Sequence, residues 1–175
     1  RQLVNEGVNV VALVIPQEPV PAEWDGKVRT VVGDVRNLLA VADEVGQVDA
    51  VFHLAAIVSD WGGQQEHVDI TVKGTEQAIE LALIWQAHFI VTTSVATYAS
   101  KLGQGRLTED SPVGTPSSAY EFCKQEQERV TLAGVARGLK ATIVRPGNVF
   151  GVGNLFVRGD GFAIEQITDL FADQQ

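Results

Sequence analysis

Tyr120 and Lys124 stand four residues apart in the segment Tyr120-Glu121-Phe122-Cys123-Lys124, and on a helix that spacing puts a phenol and an ammonium on one face, one turn apart. A free phenol, with a pKa of about 10, is a poor base at neutral pH; a neighbouring positive charge stabilises the phenolate and lowers that value. Together the two residues can transfer a proton. The same spacing also falls on solvated helix faces, so the pair needs context. Upstream, Thr92-Thr93-Ser94-Val95-Ala96-Thr97-Tyr98 follows an apolar run, and hydroxyls at the carboxyl end of a parallel strand face the ligand crevice of an α/β sheet. Ser94 can hold a substrate oxygen there. In the other reading Thr92 and Thr93 are β-branched strand residues and Ser94 bonds a neighbouring backbone group.

The elements that must position these residues follow from the apolar pattern. Val8 to Ile15, Val28 to Val32, Ala50 to Leu54, Phe89 to Thr93 and Ala141 to Val144 are short Val/Ile-rich runs, apolar on both faces as strands of a covered parallel sheet are. Between them, 37–45, 64–85 and 117–137 carry apolar residues at intervals of three and four, as in Val68, Val72, Ile79 and Ala82, which predicts helices lying on the sheet. Arg1 to Glu6 followed by Gly7 reads as the end of a helix closed by a left-handed glycine. Residues 100–116, with Gly103, Gly105, Pro112, Gly114 and Pro116, form a long loop. The alternation predicts a doubly wound parallel α/β fold whose ligands sit at strand ends, near 15–18, 33–35, 53–59, 92–98 and 145–151.

The composition sets the outer bounds. The chain has 175 residues, 45% hydrophobic and 20% charged, with 17 Gly and 6 Pro, which excludes disorder and collagen-like repeats. Its net charge of −9 repels phosphate backbones and anionic headgroups, so nucleic acid and membrane are not expected partners. The longest apolar stretches fall far below the roughly 20 residues that cross a bilayer. A single cysteine, Cys123, cannot form an internal disulfide and fits a cytoplasmic location. The chain starts at Arg1, has no Met and no signal-peptide pattern, so an internal piece of a longer protein is expected.

Five motifs then agree in order: Gly33-Asp34-Val35, His53-Leu54-Ala55-Ala56, Thr93-Ser94, Tyr120 to Lys124, and Arg145-Pro146-Gly147-Asn148-Val149-Phe150-Gly151. In these the chain resembles the extended short-chain dehydrogenase/reductase family, also called the NAD-dependent epimerase/dehydratase family, up to about Gly153. The resemblance implies a Rossmann-like three-layer αβα fold and a catalytic triad of Ser94, Tyr120 and Lys124, with Lys124 also holding the nicotinamide ribose. It implies Asp34 and Val35 beside the adenine, Leu54, Ala55 and Ala56 near the phosphates and ribose, Thr92 among the cofactor contacts, and Pro146, Gly147, Asn148 and Val149 around the nicotinamide. Tyr120 would exchange a proton with the substrate oxygen while hydride moves to or from the ring. Dimerisation through helices 64–85 and 117–137 is a further implication, for which Leu81, Ile84 and Trp85 supply apolar surface.

The chain also departs from the family pattern. No Gly-rich phosphate loop follows a strand, and the expected explanation is that the first strand and its loop lie before Arg1, since the ribose-reading acid comes roughly 20 residues after that loop. Leu13-Val14-Ile15-Pro16-Gln17-Glu18 has neither the acid that marks NAD nor the Arg that marks NADP at the usual place; the nearest charge is acidic, which favours NAD. The expected domains are an incomplete dinucleotide-binding domain, 1–151, and the start of a substrate-binding domain, 152–175, with a helix near Gly161 to Phe171. His53, His67 and His88 have no spacing that completes a metal site, so no metal is expected. Trp24, Trp61 and Trp85 read as core or interface anchors, with Ser59-Asp60-Trp61-Gly62 able to border a substrate crevice, and Cys123 as a packed hydrophobe. The function expected is an NAD(P)-dependent oxidoreductase or epimerase acting on a secondary alcohol or ketone, a nucleotide-sugar foremost. The alternatives are a hydroxysteroid-dehydrogenase-like or dihydroflavonol-reductase-like enzyme, or a non-catalytic dinucleotide-binding module.

Overall fold

The structure is a computed structural model that describes residues 2–58 and 63–149. The chain divides into two compact units, Arg1–Arg145 and Pro146–Gln175. In the first, the order is α1 (Gln2–Asn5), β1 (Val10–Val14), a 3-10 turn at Ala22–Trp24, β2 (Val28–Val32), a 3-10 segment Val35–Val41 running into α2 (Ala42–Val45), and β3 (Ala50–His53). Then come α3 (Gln64–His67), a π-helical stretch Val68–Lys73, α4 (Gly74–Trp85), β4 (His88–Thr92), a 3-10 segment Val95–Lys101, α5 (Ala119–Ala136) and β5 (Lys140–Val144). Each predicted strand is present within two residues, and Gly7 takes the left-handed conformation at φ 77°. The helix expected over 64–85 is present, interrupted only by the π stretch. Residues 37–45, expected as a helix, are mostly 3-10, because Asn37 leaves helical geometry at φ −144°.

All strand pairs are parallel, as predicted, but the ladders form two sheets, β1-β2 and β3-β4-β5. In the doubly wound order 3-2-1-4-5-6, β2 and β1 take places 3 and 2 and β3 to β5 take places 4 to 6, so the interruption falls at place 1. The 3-10 segment Val35–Val41 joins the β1-β2 side to α4, where Leu38 N–H donates to Gln77 Oε1 at 2.7 Å and Gln77 Nε2 donates to the Arg36 carbonyl.

Strand alternation aims Val51 and His53, Phe89 and Val91, and Ala141 and Ile143 at α4 and α5. There the apolar ones meet Ala78, Ile79, Ala82, Cys123 and Val130 in one core, and His53 meets Thr75. Phe89 and Val91 are fully buried. α4 and α5 approach closely at Gly134, where a Cβ would come within 2.9 Å of Ile79. The opposite face differs from the expectation of coverage on both sides: Phe52 is 56% exposed, and Leu54 and Val144 are also open. The reason is that the long described helices, α4 and α5, pack on one side of β3-β4-β5. No helix among the described residues is long and apolar enough to cross a membrane.

One backbone position is strained. Ala99, between the two turns of the 3-10 segment, sits at φ 44°, ψ −120°, a region in which a Cβ costs on the order of 1–3 kcal/mol. Ala99→Gly relieves that strain but forfeits a buried methyl, worth about 0.8 kcal/mol, and adds unfolded-state entropy worth about 0.4–1 kcal/mol. We expect a net gain of about 0.5 kcal/mol and a melting temperature about 1–2 °C higher. A lower value in thermal denaturation would show that the methyl's packing outweighs the strain.

Candidate active site

α5 starts where a cap fixes it. Ser118 Oγ accepts from the Glu121 N–H at 3.2 Å, and Glu121 Oε2 accepts from the N–H and hydroxyl of Ser117 at 2.6 and 2.9 Å, which satisfies donors that a helix start leaves open. Tyr120 therefore lies in the first turn and Lys124 one turn on. The Lys124 ammonium is 5.8 Å from the centre of the Tyr120 ring, within cation–π range.

Tyr120 is half-buried whereas Lys124 is 3% exposed. Lys124 Nζ donates to the Thr92 carbonyl at 3.1 Å and to Gln127 Oε1 at 3.0 Å. Burial pushes its pKa down to about 8, against the smaller opposing pull of Cys123 and Glu128. The ammonium is thus tied to the carboxyl end of β4, two residues before Ser94. Ser94 is extended, and its Oγ accepts from the Ala96 N–H at 3.1 Å, so the backbone-bonding reading of this serine is realised. In that bond the oxygen accepts, and its own proton can go to a second partner.

The other residues singled out in the sequence are spread over neighbouring strand ends. Asp34 follows β2 and caps the 3-10 segment; its carboxylate accepts from the Arg36 N–H at 2.8 Å and is gripped by the Arg36 guanidinium, which holds it below the usual carboxylate range. Val35 packs on Gly74, where a Cβ would come within 2.9 Å of it. Leu54 is exposed and Ala55 and Ala56 half-buried beyond β3. Pro146, Gly147, Asn148 and Val149 belong to the second unit. Ser59 to Gly62, Phe150, Gly151 and the stretch Gly161 to Phe171 lie outside the described residues.

The buried polar residues around Lys124 escaped the sequence reading. Lys124, Gln127, Glu128 and Thr131 are all at most 5% exposed, a polar stripe at i, i+3, i+4 and i+7 on the inward face of α5. That spacing is the one normally read for an apolar stripe, and its polar occupants were the available signal. Glu128 pairs with Arg145 through two bonds of 2.8 and 2.7 Å and accepts from Thr93 Oγ1 at 2.8 Å. Arg145 also donates to Tyr98 Oη and to the Glu109 carbonyl at 2.8 and 3.1 Å. This cluster ties the long loop, β4 and α5 to the end of β5, beside an open cavity of about 540 Å³ lined by Val95, Leu107, Thr108 and Ile143. On α4, Thr75 meets His53, which burial, aided by the charge of Lys124, pushes down to about 4 and keeps neutral at pH 7.

The whole chain, residues 1–174, matches the family model of the NAD-dependent epimerase/dehydratase family, and the chain belongs to that family. It is 30% identical over 154 residues to sterol demethylase protein B of Methylococcus capsulatus, covering 86% of this chain and 47% of that protein. It is 28% identical over 133 residues to 3beta-hydroxysteroid-dehydrogenase/decarboxylase isoform 1 of Arabidopsis thaliana, covering 74% of this chain and 30% of that protein. The solved structure of MoeE5 in complex with UDP-glucose and NAD superposes with a TM-score of 0.67 at 29% identity, covering 81% of this chain and 46% of that one. The chain thus spans about half or less of the length of these relatives. Similarity to such NAD complexes makes the fold a Rossmann-like parallel α/β fold.

Removing Arg145 leaves the Glu128 carboxylate, 6% exposed, without its counter-charge. Arg145→Ala is expected to cost about 3–5 kcal/mol in urea denaturation, whereas Glu128→Leu combined with Arg145→Met should recover most of that loss. Equal stability of the single variant and the native chain would mean that the pair is screened.

Proposed function

We propose that this chain carries the cofactor-binding and proton-transfer part of an NAD-dependent oxidoreductase or epimerase acting on a secondary alcohol or ketone, with Ser94, Tyr120 and Lys124 as its catalytic residues. The observation that carries this is the Lys124 ammonium, buried at the carboxyl end of β4, fastened to Thr92 O and set against the Tyr120 ring. A buried cation with two fixed acceptors and an N–H to spare fits the vicinal hydroxyls of a ribose. The residues therefore suit a nicotinamide dinucleotide, which when bound supplies hydride transfer at the ring.

Lys124 would hold the ribose and favour the Tyr120 phenolate by its charge. Tyr120 would take a proton from a substrate hydroxyl or give one to a carbonyl, and the Ser94 O–H would donate to the same oxygen and keep it in line. Asp34 and Val35 would flank the adenine; Leu54, Ala55, Ala56 and Thr92 would border the phosphates and ribose; Pro146, Gly147, Asn148 and Val149 would border the nicotinamide. Asp34 can serve there only through the oxygen edges that Arg36 leaves open. NAD is preferred to NADP on the acidic Glu18 near the end of β1.

A nucleotide-sugar substrate is supported by the 29% identity to MoeE5, whose complex holds UDP-glucose. A sterol substrate is the second reading, supported by the similarity to the Arabidopsis 3beta-hydroxysteroid dehydrogenase/decarboxylase. Two copies would pair through 64–85 and 117–137, where Ile84, Leu132 and Val135 are exposed; Leu81 and Trp85, expected on that surface, instead pack into and against the core.

Two measurements check the proposal. NAD⁺ should raise the melting temperature in a thermal-shift titration, and more so than NADP⁺, because a ligand that binds only the native state stabilises it. Turnover of UDP-glucose or of a 3β-hydroxysteroid, followed by NADH absorbance for net oxidation and by product analysis for redox-neutral epimerisation, should occur with one of the two and fall by at least about 100-fold in Tyr120→Phe, the scale of a lost general acid or base, with NAD⁺ affinity nearly unchanged. Comparable turnover in that variant would remove Tyr120 from the chemistry.

A further inference from the structure

The Lys124 ammonium sits in a network whose hydrogen positions can be assigned by counting. Thr75 Oγ1 has one hydrogen, and it goes to the Thr71 carbonyl at 2.6 Å. Toward its other two partners, Gln127 Nε2 at 3.0 Å and His53 Nε2 at 2.9 Å, Thr75 can therefore only accept. This fixes His53 as the Nε2–H tautomer. It also fixes the Gln127 amide, with NH2 on Thr75 and Oε1 on Lys124 Nζ at 3.0 Å. The whole set is buried, with Gln127 and Thr75 at 0% exposure. Thr71 meanwhile accepts from the Ile57 N–H at 3.1 Å, so the network also holds the chain beyond β3.

We propose that Gln127 is a positioning residue for Lys124: anchored on Thr75, its amide oxygen takes one N–H of the ammonium, Thr92 O takes another, and the third is left aimed for a ligand hydroxyl. The inference rests on the proposed role of Lys124. Among the described residues, nothing accepts that third N–H from a side chain. Because Gln127 is neutral, it orients the ammonium without the counter-charge that a carboxylate at the same place would add. The charged or titratable groups that face Lys124 are Tyr120, Cys123 and Glu128 on α5 and His53 on β3. Glu128 is committed to Arg145 and Thr93.

The test is the titration of Lys124 in the full chain, read by NMR of ¹³Cε-labelled lysine and assigned through Lys124→Met, one of five lysines to be resolved. The native chain should titrate near pH 8. Gln127→Glu, nearly the same shape, should move the midpoint upward by about 1 unit or more, the scale of an adjacent opposite charge. Gln127→Met should move it downward and weaken NAD⁺ binding about 3- to 10-fold in calorimetry, the scale of one ordinary hydrogen bond, since Gln127 acts on the ligand only through Lys124. Thr75→Val should act in the same direction as Gln127→Met with a smaller effect. An unchanged Lys124 midpoint in both Gln127 variants, each folded by its ¹H–¹⁵N spectrum, would overturn the proposal. Unaltered turnover in Tyr120→Phe with the Gln127 shifts intact would instead overturn the catalytic reading and leave the positioning role standing.

Discussion

The arrangement depends on keeping one ammonium out of water. A buried charge is costly unless hydrogen bonds replace its hydration, and Lys124, at 3% exposure, has no carboxylate among its hydrogen-bond partners. Its acceptors are a carbonyl at the end of β4 and an amide on its own helix. Each is fixed in turn, the first by the β4-β5 ladder and the second by Thr75 on α4. The position of the ammonium is therefore set by three elements at once. A shift in the packing of α4 on α5 would be felt at Lys124.

That dependence explains two features with no obvious reason of their own. The π stretch Val68–Lys73 carries Thr71 and opens into Gly74, bringing Thr71 to the Ile57 N–H and Thr75 to His53 and Gln127. A π-bulge within a helix is uncommon and tends to occur at functional sites. Glu128, adjacent to Gln127, is taken up by Arg145 and Thr93 in close, directed bonds. The acid and the ammonium, four residues apart on one helix, are thus served by different partners, and the neutral amide of Gln127 holds the position next to Lys124.

The sequence made the skeleton of this legible and left the connections hidden. Strand Val10–Val14 is an unbroken apolar run and His88–Thr92 carries Phe-Ile-Val at its centre, and short apolar runs of this kind are what covered parallel strands show. The Tyr120–Lys124 pair could be placed on one helix face by spacing alone. Periodicity alone could not place the break between β1 and β3, because strand order is a matter of long-range pairing and periodicity is local; the expectation of a missing first strand came from the family resemblance. The role of Gln127 was hidden for a different reason. A glutamine three residues after a lysine reads as a solvated surface position until burial is known, and only its repetition with Glu128 and Thr131 hints at an inward face. Val35–Val41 was misjudged because apolar spacing does not report the excursion at Asn37.

The same network sets how the fold responds to pH, and the sign is the same in both windows. His53 is held near 4 against an ordinary 6.5. Between those values the unfolded chain binds more protons, so stability falls as acid is added through that window. Lys124 is held near 8 against an ordinary 10.5. Between 8 and 10.5 the unfolded chain again binds more protons, so for this group stability rises with pH, as the desolvated ammonium is discharged. The alkaline gain comes with the loss of the positive charge beside the Tyr120 ring. Neutral pH is where the ammonium and the neutral imidazole coexist. A network made of uncharged acceptors serves that compromise: it keeps Lys124 charged at neutral pH while fixing its direction.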